Sequence, residues 1–157
     1  HYSDDVVMHY LHQHPDIAFE VFSKKIQAPT RIKNIQFIPI SNDAFTKSMI
    51  ASEGVITGAG FETPAEALYL GKKLLCLPIR GQYEQLCNAA ALKNFGVTIV
   101  DKMDNEFTGT IASWLSSPNP TPLTLRHTTY EIVQRVMELG REAKGRSFEV
   151  ERVGGIE

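Results

Sequence analysis

Between Gly54 and Asn88 the chain reads GVITGAGFETPAEALYLGKKLLCLPIRGQYEQLCN, and the residues here that can do chemistry fall into two groups. The first is Gly58, Gly60, Thr63 and Glu66. Two glycines directly after an apolar run let a backbone bend sharply and come close to a ligand. A helix that starts just beyond such a turn aims unpaired amides and a partial positive charge at the same point, the arrangement that takes a phosphate. The second group, Glu84, Gln85 and Asn88, opens another helix after a turn carrying Pro78 and Arg80. Both groups also have a purely structural use. Thr63 and Glu66 have the spacing of a capping box, with Pro64 at the first helical position, and from those two residues alone structure and site are equal readings. A glutamate in the first turn of a helix, as at Glu84, is favourable on dipole grounds whatever else it does, and an exposed arginine such as Arg80 is ordinary.

These groups need elements to hold them. Ser3 predicts the N-cap of a helix from about Asp4 to His12, stopped by Pro15, and Ile17 to Phe22 reads as a strand covered on both faces. Asn34 to Ile40 is a second strand. Ser41 caps the next helix, whose apolar side carries Phe45, Met49 and Ile50 and which Gly54 is expected to end. Val55 to Thr57 follows as a strand, then the glycine turn and a helix to Leu70 with Gly71 as C-cap. Lys73 to Leu77 is a strand, Pro78 to Gln82 a turn, Tyr83 to Asn94 a helix closed by Gly96, Val97 to Val100 a strand and Asn105 to Leu115 a helix. Ser117 to Pro122 reads as a Pro-rich surface linker, and a long helix runs from about Leu125 to Arg141. Beyond Gly145 the alternation at Phe148, Val150 and Val153 admits either a strand or a disordered end. Strands alternating with helices predict an α/β domain, a Rossmann-like parallel sheet with helices on both faces and right-handed crossovers. Ligands bind such sheets at the carboxyl ends of the strands, where both the glycine turn and the Pro78 to Gln85 loop fall.

With 157 residues, 43% of them hydrophobic, the chain suits one well-buried core better than two, so residues 1–157 are read as a single domain. A net charge of -2 offers no basic surface for nucleic acid or anionic lipid, and neither is an expected partner. No apolar run approaches membrane-spanning length and no secretory signal opens the chain, which fits the cytoplasm. Cys76 and Cys87 lack metal or redox spacing and read as buried free thiols. His9, His12 and His14 invite a metal reading, but no carboxylate or thiol stands at a ligand spacing, and they read as surface histidines.

TGAGFETPAEALYLGKKLLCLPIRGQYEQLCNA resembles the donor-binding segment of GT-B glycosyltransferases. The similarity is greatest to the family that includes the peptidoglycan N-acetylglucosaminyltransferase and the nucleotide-sugar glycosyltransferases of plants and antibiotic producers. It covers Val55 to roughly Val100: a glycine turn, Thr and Glu, a Gly before a strand, a Pro after it, and an acidic-Gln-x-x-Asn ending. By resemblance, Gly58, Gly60 and Thr63 meet the diphosphate of a nucleotide sugar, most simply a UDP-sugar. Glu66 receives the ribose hydroxyls, Glu84 and Gln85 read the sugar, and Asn88 closes the motif. The resemblance implies inverting transfer, no metal and no other cofactor, and a chain forming the C-terminal half of a GT-B fold without its opening strand. The catalytic base is then expected in a missing N-terminal acceptor domain, which leaves this part inactive alone.

Two departures stand out. Plant enzymes of the family carry a His, and the peptidoglycan enzyme an Arg, at the position of Gly58. Glu62 adds a negative charge beside the expected diphosphate, a repulsion of roughly 1 kcal/mol at 4 Å in water and several in a drier cleft. Arg80, in the facing loop, is the candidate to restore a positive charge. Three alternatives share the donor cleft: a donor-binding subunit working with a separate partner chain, a nucleotide-sugar epimerase, and a non-catalytic nucleotide-sugar-binding module.

Overall fold

The computed structural model describes residues 3–120, 122–123 and 128–145. The chain divides into two compact units, His1–Thr124 and Leu125–Glu157. In the first, α1 (Asp4–Leu11) leads to β1 (Phe19–Ser23), β2 (Thr30–Ile32), β3 (Ile35–Pro39) and α2 (Asn42–Ala51). Then come β4 (Gly54–Thr57), α3 (Glu62–Tyr69), β5 (Lys73–Cys76), α4 (Tyr83–Lys93), β6 (Thr98–Ile99) and α5 (Phe107–Ser116). The second unit contributes α6 (Thr129–Gly145), with Arg135 bridged to Glu138 at 3.2 Å. The alternating pattern after Gly145 lies outside the described residues.

The strands pair in two three-stranded sheets, β1-β3-β2 and β4-β5-β6, where the sequence predicts one parallel sheet. β4, β5 and β6 are parallel throughout, and β1 is parallel to β3. β2 is an unanticipated strand that pairs antiparallel with β3 through the Lys33-Asn34 turn. That turn lacks the usual glycine and places Lys33 at φ 53 instead. It is fixed by the Asn34 side chain, whose Nδ2 lies 2.9 to 3.1 Å from the carbonyls of Leu11, His14 and Ile17, tying the end of α1 to the sheet.

β5 explains why helices cover both faces. Its run KLLC continues through Leu77; Leu74 and Cys76 enter one core with Met49 of α2, Ala67 and Leu68 of α3 and Ala89 of α4. Leu75 and Leu77 enter a second core with Leu11 of α1 and Phe107, Ile111 and Trp114 of α5. A strand buried on both sides must be apolar at every position rather than at every second one. The second core also takes Ile35 and Phe37 of β3, so it joins the two sheets under one layer of side chains. Each fully buried Leu contributes on the order of 1.5 to 3 kcal/mol.

Local signals succeed and fail for identifiable reasons. Ser3 Oγ accepts from Val6 N–H and Ser41 Oγ from Ala44 N–H, each at 3.4 Å, as N-caps. Gly71, at φ 66, ends α3: its N–H donates to Leu68 at 3.0 Å and that of Lys72 to Ala67 at 2.8 Å, the double bond of a Schellman turn. Gly54, expected to end α2, instead opens β4, because a Cβ there would lie 2.7 Å from the Trp114 ring. The α2 end is closed by Lys72, whose Nζ donates to the Ile50 and Ser52 carbonyls at 2.6 and 2.7 Å. The histidines are not all on the surface, for the Nε2 atoms of His12 and His14 are buried without a partner among the described residues. Cys76 is buried as expected, but Cys87 is exposed.

Candidate functional site

The glycine turn follows β4 and the Pro78 loop follows β5, so both stand at the carboxyl ends of adjacent parallel strands. Leu77 N–H donates to Thr57 C=O at 2.8 Å and carries the pairing up to the point where the two loops part. From there the contact is made by side chains of α4. Gln85 Oε1 accepts from Ala59 N–H at 3.1 Å in one loop and from Ile79 N–H at 2.9 Å in the other. Its Nε2 donates to Gln82 Oε1 at 2.7 Å, which orients the amide. Asn88, one helical turn on, donates from Nδ2 to the Ala59 carbonyl at 3.1 Å. Ala59 is fully buried, and both its backbone groups are held by α4.

This clamp changes the reason for the glycines. Neither Gly58 nor Gly60 has a positive φ, so the turn does not depend on left-handed backbone. At Gly58 a Cβ would stand 3.3 Å from Gln85 Oε1, so the small residue admits the clamp; at Gly60 nothing lies within 4 Å and the backbone is open on that side. The left-handed glycine of the site is Gly81, at φ 80, in the facing loop.

The capping box does not form. α3 begins at Glu62 with Phe61 as N-cap and no side-chain cap bond, which puts Thr63 inside the first turn and Glu66 a turn further on. The competing sequence signal, Pro64, is tolerated two positions later, third in the helix, because the first-turn amides have no helical partners. The amides of Glu62 and Thr63, in the first turn just after the glycine turn, therefore have no acceptor within the helix. Glu66 is released from a structural duty and is exposed, as are Glu62, Glu84 and Arg80. None of these four joins a salt bridge among the described residues.

The structure thus brings Gly58, Gln85 and Asn88 together through Ala59. It sets Gly60, Thr63, Glu66, Glu84 and Arg80 around the same pair of loops without bonding them to one another. Gly58 and Arg80, with Thr57 and Pro78, also line the end of a groove of about 1280 Å³ that runs down between β1 and β4. A depression of about 390 Å³ at the opposite end of α3, around Gly71, Lys72 and Asn119, contains none of the site residues. Sequence reasoning missed Ala59, Ile79 and Gln82, two of which act through their backbone; the Gln-x-x-Asn spacing on α4 is the signal that points to them. Among the described residues no cluster of His, Cys, Asp or Glu has the geometry to hold a metal ion. Burial pushes the Cys76 thiol, in β5 beneath the site, up to about 12.

The fold is thus a Rossmann-like α/β layer, with two loops joined by Gln85 at the carboxyl ends of adjacent parallel strands. Residues 3–117 match glycosyl transferase family 1, and the chain belongs to that family, a GT-B type of glycosyltransferase domain. No curated protein and no solved structure matches it. Among the described residues no helix is long and apolar enough to cross a membrane.

Proposed function

We propose that this glycosyltransferase domain holds the nucleoside diphosphate of a nucleotide-sugar donor, uridine foremost, at the ends of β4 and β5. In this reading the open backbone at Gly60 and the first-turn amides of Glu62 and Thr63 meet the diphosphate, Gly58 lets the loop close, and Glu66 takes the ribose hydroxyls. Glu84 and Gln85 lie toward the sugar. The observation that carries the reading is the Gln85 clamp, which fixes two strand-end loops as one rigid wall before any ligand arrives. Preorganised amides gain most against developing charge, here the departing diphosphate of an inverting transfer. Because Gln85 Oε1 is already taken by two amides and one Nε2 hydrogen goes to Gln82, Gln85 contributes chiefly by placing those loops, with the second Nε2 hydrogen left to face a hydroxyl. Arg80 supplies the nearby positive charge.

Within the donor motif no histidine stands ready as a base, and a single α/β layer forms half a cleft. Acceptor contacts and proton removal therefore belong to another domain or a partner chain, and the enzyme works in the cytoplasm. The direct test is calorimetry with a panel of nucleotides, read beside amide chemical shifts. Uridine diphosphate should release heat and move the Gly60 and Thr63 amides. At millimolar nucleotide, silence in both refutes the reading. The exposed Glu62, in no salt bridge among the described residues, favours one second reading, a module that binds nucleotide sugars weakly and does not transfer them. Transfer from a labelled nucleotide sugar by the longer protein excludes it.

A further inference from the structure

The charges around the two strand-end loops do not balance. Residues 58–66 and 78–85 bring three exposed carboxylates, Glu62, Glu66 and Glu84, against a single exposed guanidinium, Arg80. None of the four is neutralised by a salt bridge among the described residues. A diphosphate brought to these loops meets more repulsion than attraction. The balancing positive charge has to come from another loop at the same end of the strands.

Both sheets share that end. β1 is parallel to β3, and β4 is parallel to β5 and β6 through the pairing of β5 with each. α2, whose 10 residues make about 15 Å, carries the chain back along the length of a strand, so β4 starts at the end where β3 starts. The end of β1 at Phe22 and the end of β4 at Thr57 and Gly58 line one groove. Two further loops at this end carry cations. After β6, Lys102 is held by Asp104 at 3.0 Å. After β1 come Lys24 and Lys25, both exposed and in no salt bridge among the described residues.

These two lysines hold the central positions of a fastened β-turn. Ile26 N–H closes it by donating to Ser23 C=O at 3.4 Å, and the Ile26 side chain packs against the second core. Ser23 is the one buried polar residue among the described residues. Its Oγ accepts from Lys25 N–H at 3.3 Å and donates to Asp4 Oδ2 at 2.9 Å, so the turn is tied to the start of α1 and the Asp4 carboxylate is engaged by a hydroxyl. Turn centres ordinarily take Gly, Pro, Asn, Asp or Ser, and adjacent like charges repel, so Lys-Lys is not what the turn itself asks for. A fixed backbone that carries ammonium groups on flexible four-carbon stems suits a phosphate, which a lysine meets as a point charge.

We infer that Lys24 and Lys25 supply the positive charge that holds the donor's diphosphate, reaching it from the β1 side of the groove while the first-turn amides of α3 meet it from the β4 side. They bring, from a different strand, the cation that Gly58 does not provide. The assignment rests on the nucleotide-sugar reading and adds to it two residues that lie outside the segment 54–88.

The test is calorimetry with uridine diphosphate at low and at raised salt. It compares the wild type with the double variant Lys24→Gln/Lys25→Gln and with Lys93→Gln, which removes a charge in the last turn of α4, about 15 Å along that helix from the loops. The double variant should melt with the wild type, bind uridine diphosphate about 10-fold or more weakly, and lose less affinity when salt is added. Lys93→Gln should bind as the wild type does, and Lys24→Arg/Lys25→Arg should recover most of the affinity. Equal affinity of the wild type and the Gln double variant overturns the inference and leaves the donor reading standing. An equal loss in Lys93→Gln also overturns it, because the effect is then one of net charge. No binding by the wild type removes the donor reading and this inference with it.

Discussion

Gln85 connects what the sequence says about this site with what the fold does. Its type and its spacing from Asn88 are legible, but its partners are the amides of Ala59 and Ile79, which no side-chain pattern encodes. Gln85→Ala leaves two amides without an acceptor, at about 1 to 3 kcal/mol for each that stays shielded from water. Denaturant unfolding should show that loss, and exchange at Ala59 and Ile79 should quicken. Gln85→Glu keeps an acceptor for both amides while losing the donor to Gln82, so those two amides should stay protected; rapid exchange in this variant would mean the clamp is not what holds the loops. At Glu66 the absence of a capping box separates fold from function. Glu66→Gln should leave the melting temperature unchanged while weakening nucleotide binding by roughly 1.5 to 3 kcal/mol, the worth of a charge-assisted bond. Unchanged affinity in calorimetry would remove Glu66 from the ribose role.

Among the elements, helix ends that rest on local chemistry were readable and those decided by packing were not. Ser3 and Ser41 cap as their types suggest, and Ser41→Ala should cost about 1 kcal/mol in equilibrium unfolding. Gly71 was readable because a left-handed residue after an apolar helix is a backbone signal, whereas Gly54 was misread because its reason is the Trp114 ring from a distant helix. The two glycines predict different failures. Gly71→Ala is strained by φ 66 and by a Cβ 3.0 Å from Pro122, while Gly54→Ala overpacks a strand against a buried indole, at typically 1 to 3 kcal/mol. Gly60→Ala meets nothing within 4 Å and should melt with the wild type, which makes it the control for both. β2 escaped notice because Lys33-Asn34 carries no glycine and its strand is exposed along its whole length.

For the whole molecule, the α/β class was legible because runs such as KLLCL are apolar at consecutive positions, which only a strand covered on both faces requires. The separation into two sheets was not, since strand order across a gap depends on long-range placement that periodicity does not record. Burial of Cys76 gives the fold a pH limit. The folded thiol ionises at about 12 and an unfolded one near 8.5, so above pH 9 the unfolded chain binds fewer protons than the native one. Stability should therefore hold through neutral pH and fall as pH rises from about 9 toward 12, by up to roughly 1.4 kcal/mol per pH unit from this group, a slope that Cys76→Ala should reduce in alkaline urea titrations. The contrast between the two cysteines also equips the protein with its own opening gauge. At pH 8 a thiol reagent meets Cys87 on every molecule but reaches Cys76 only during the moments when β5 is uncovered. The ratio of the two modification rates then counts the fraction of open molecules, with no mutation or denaturant added.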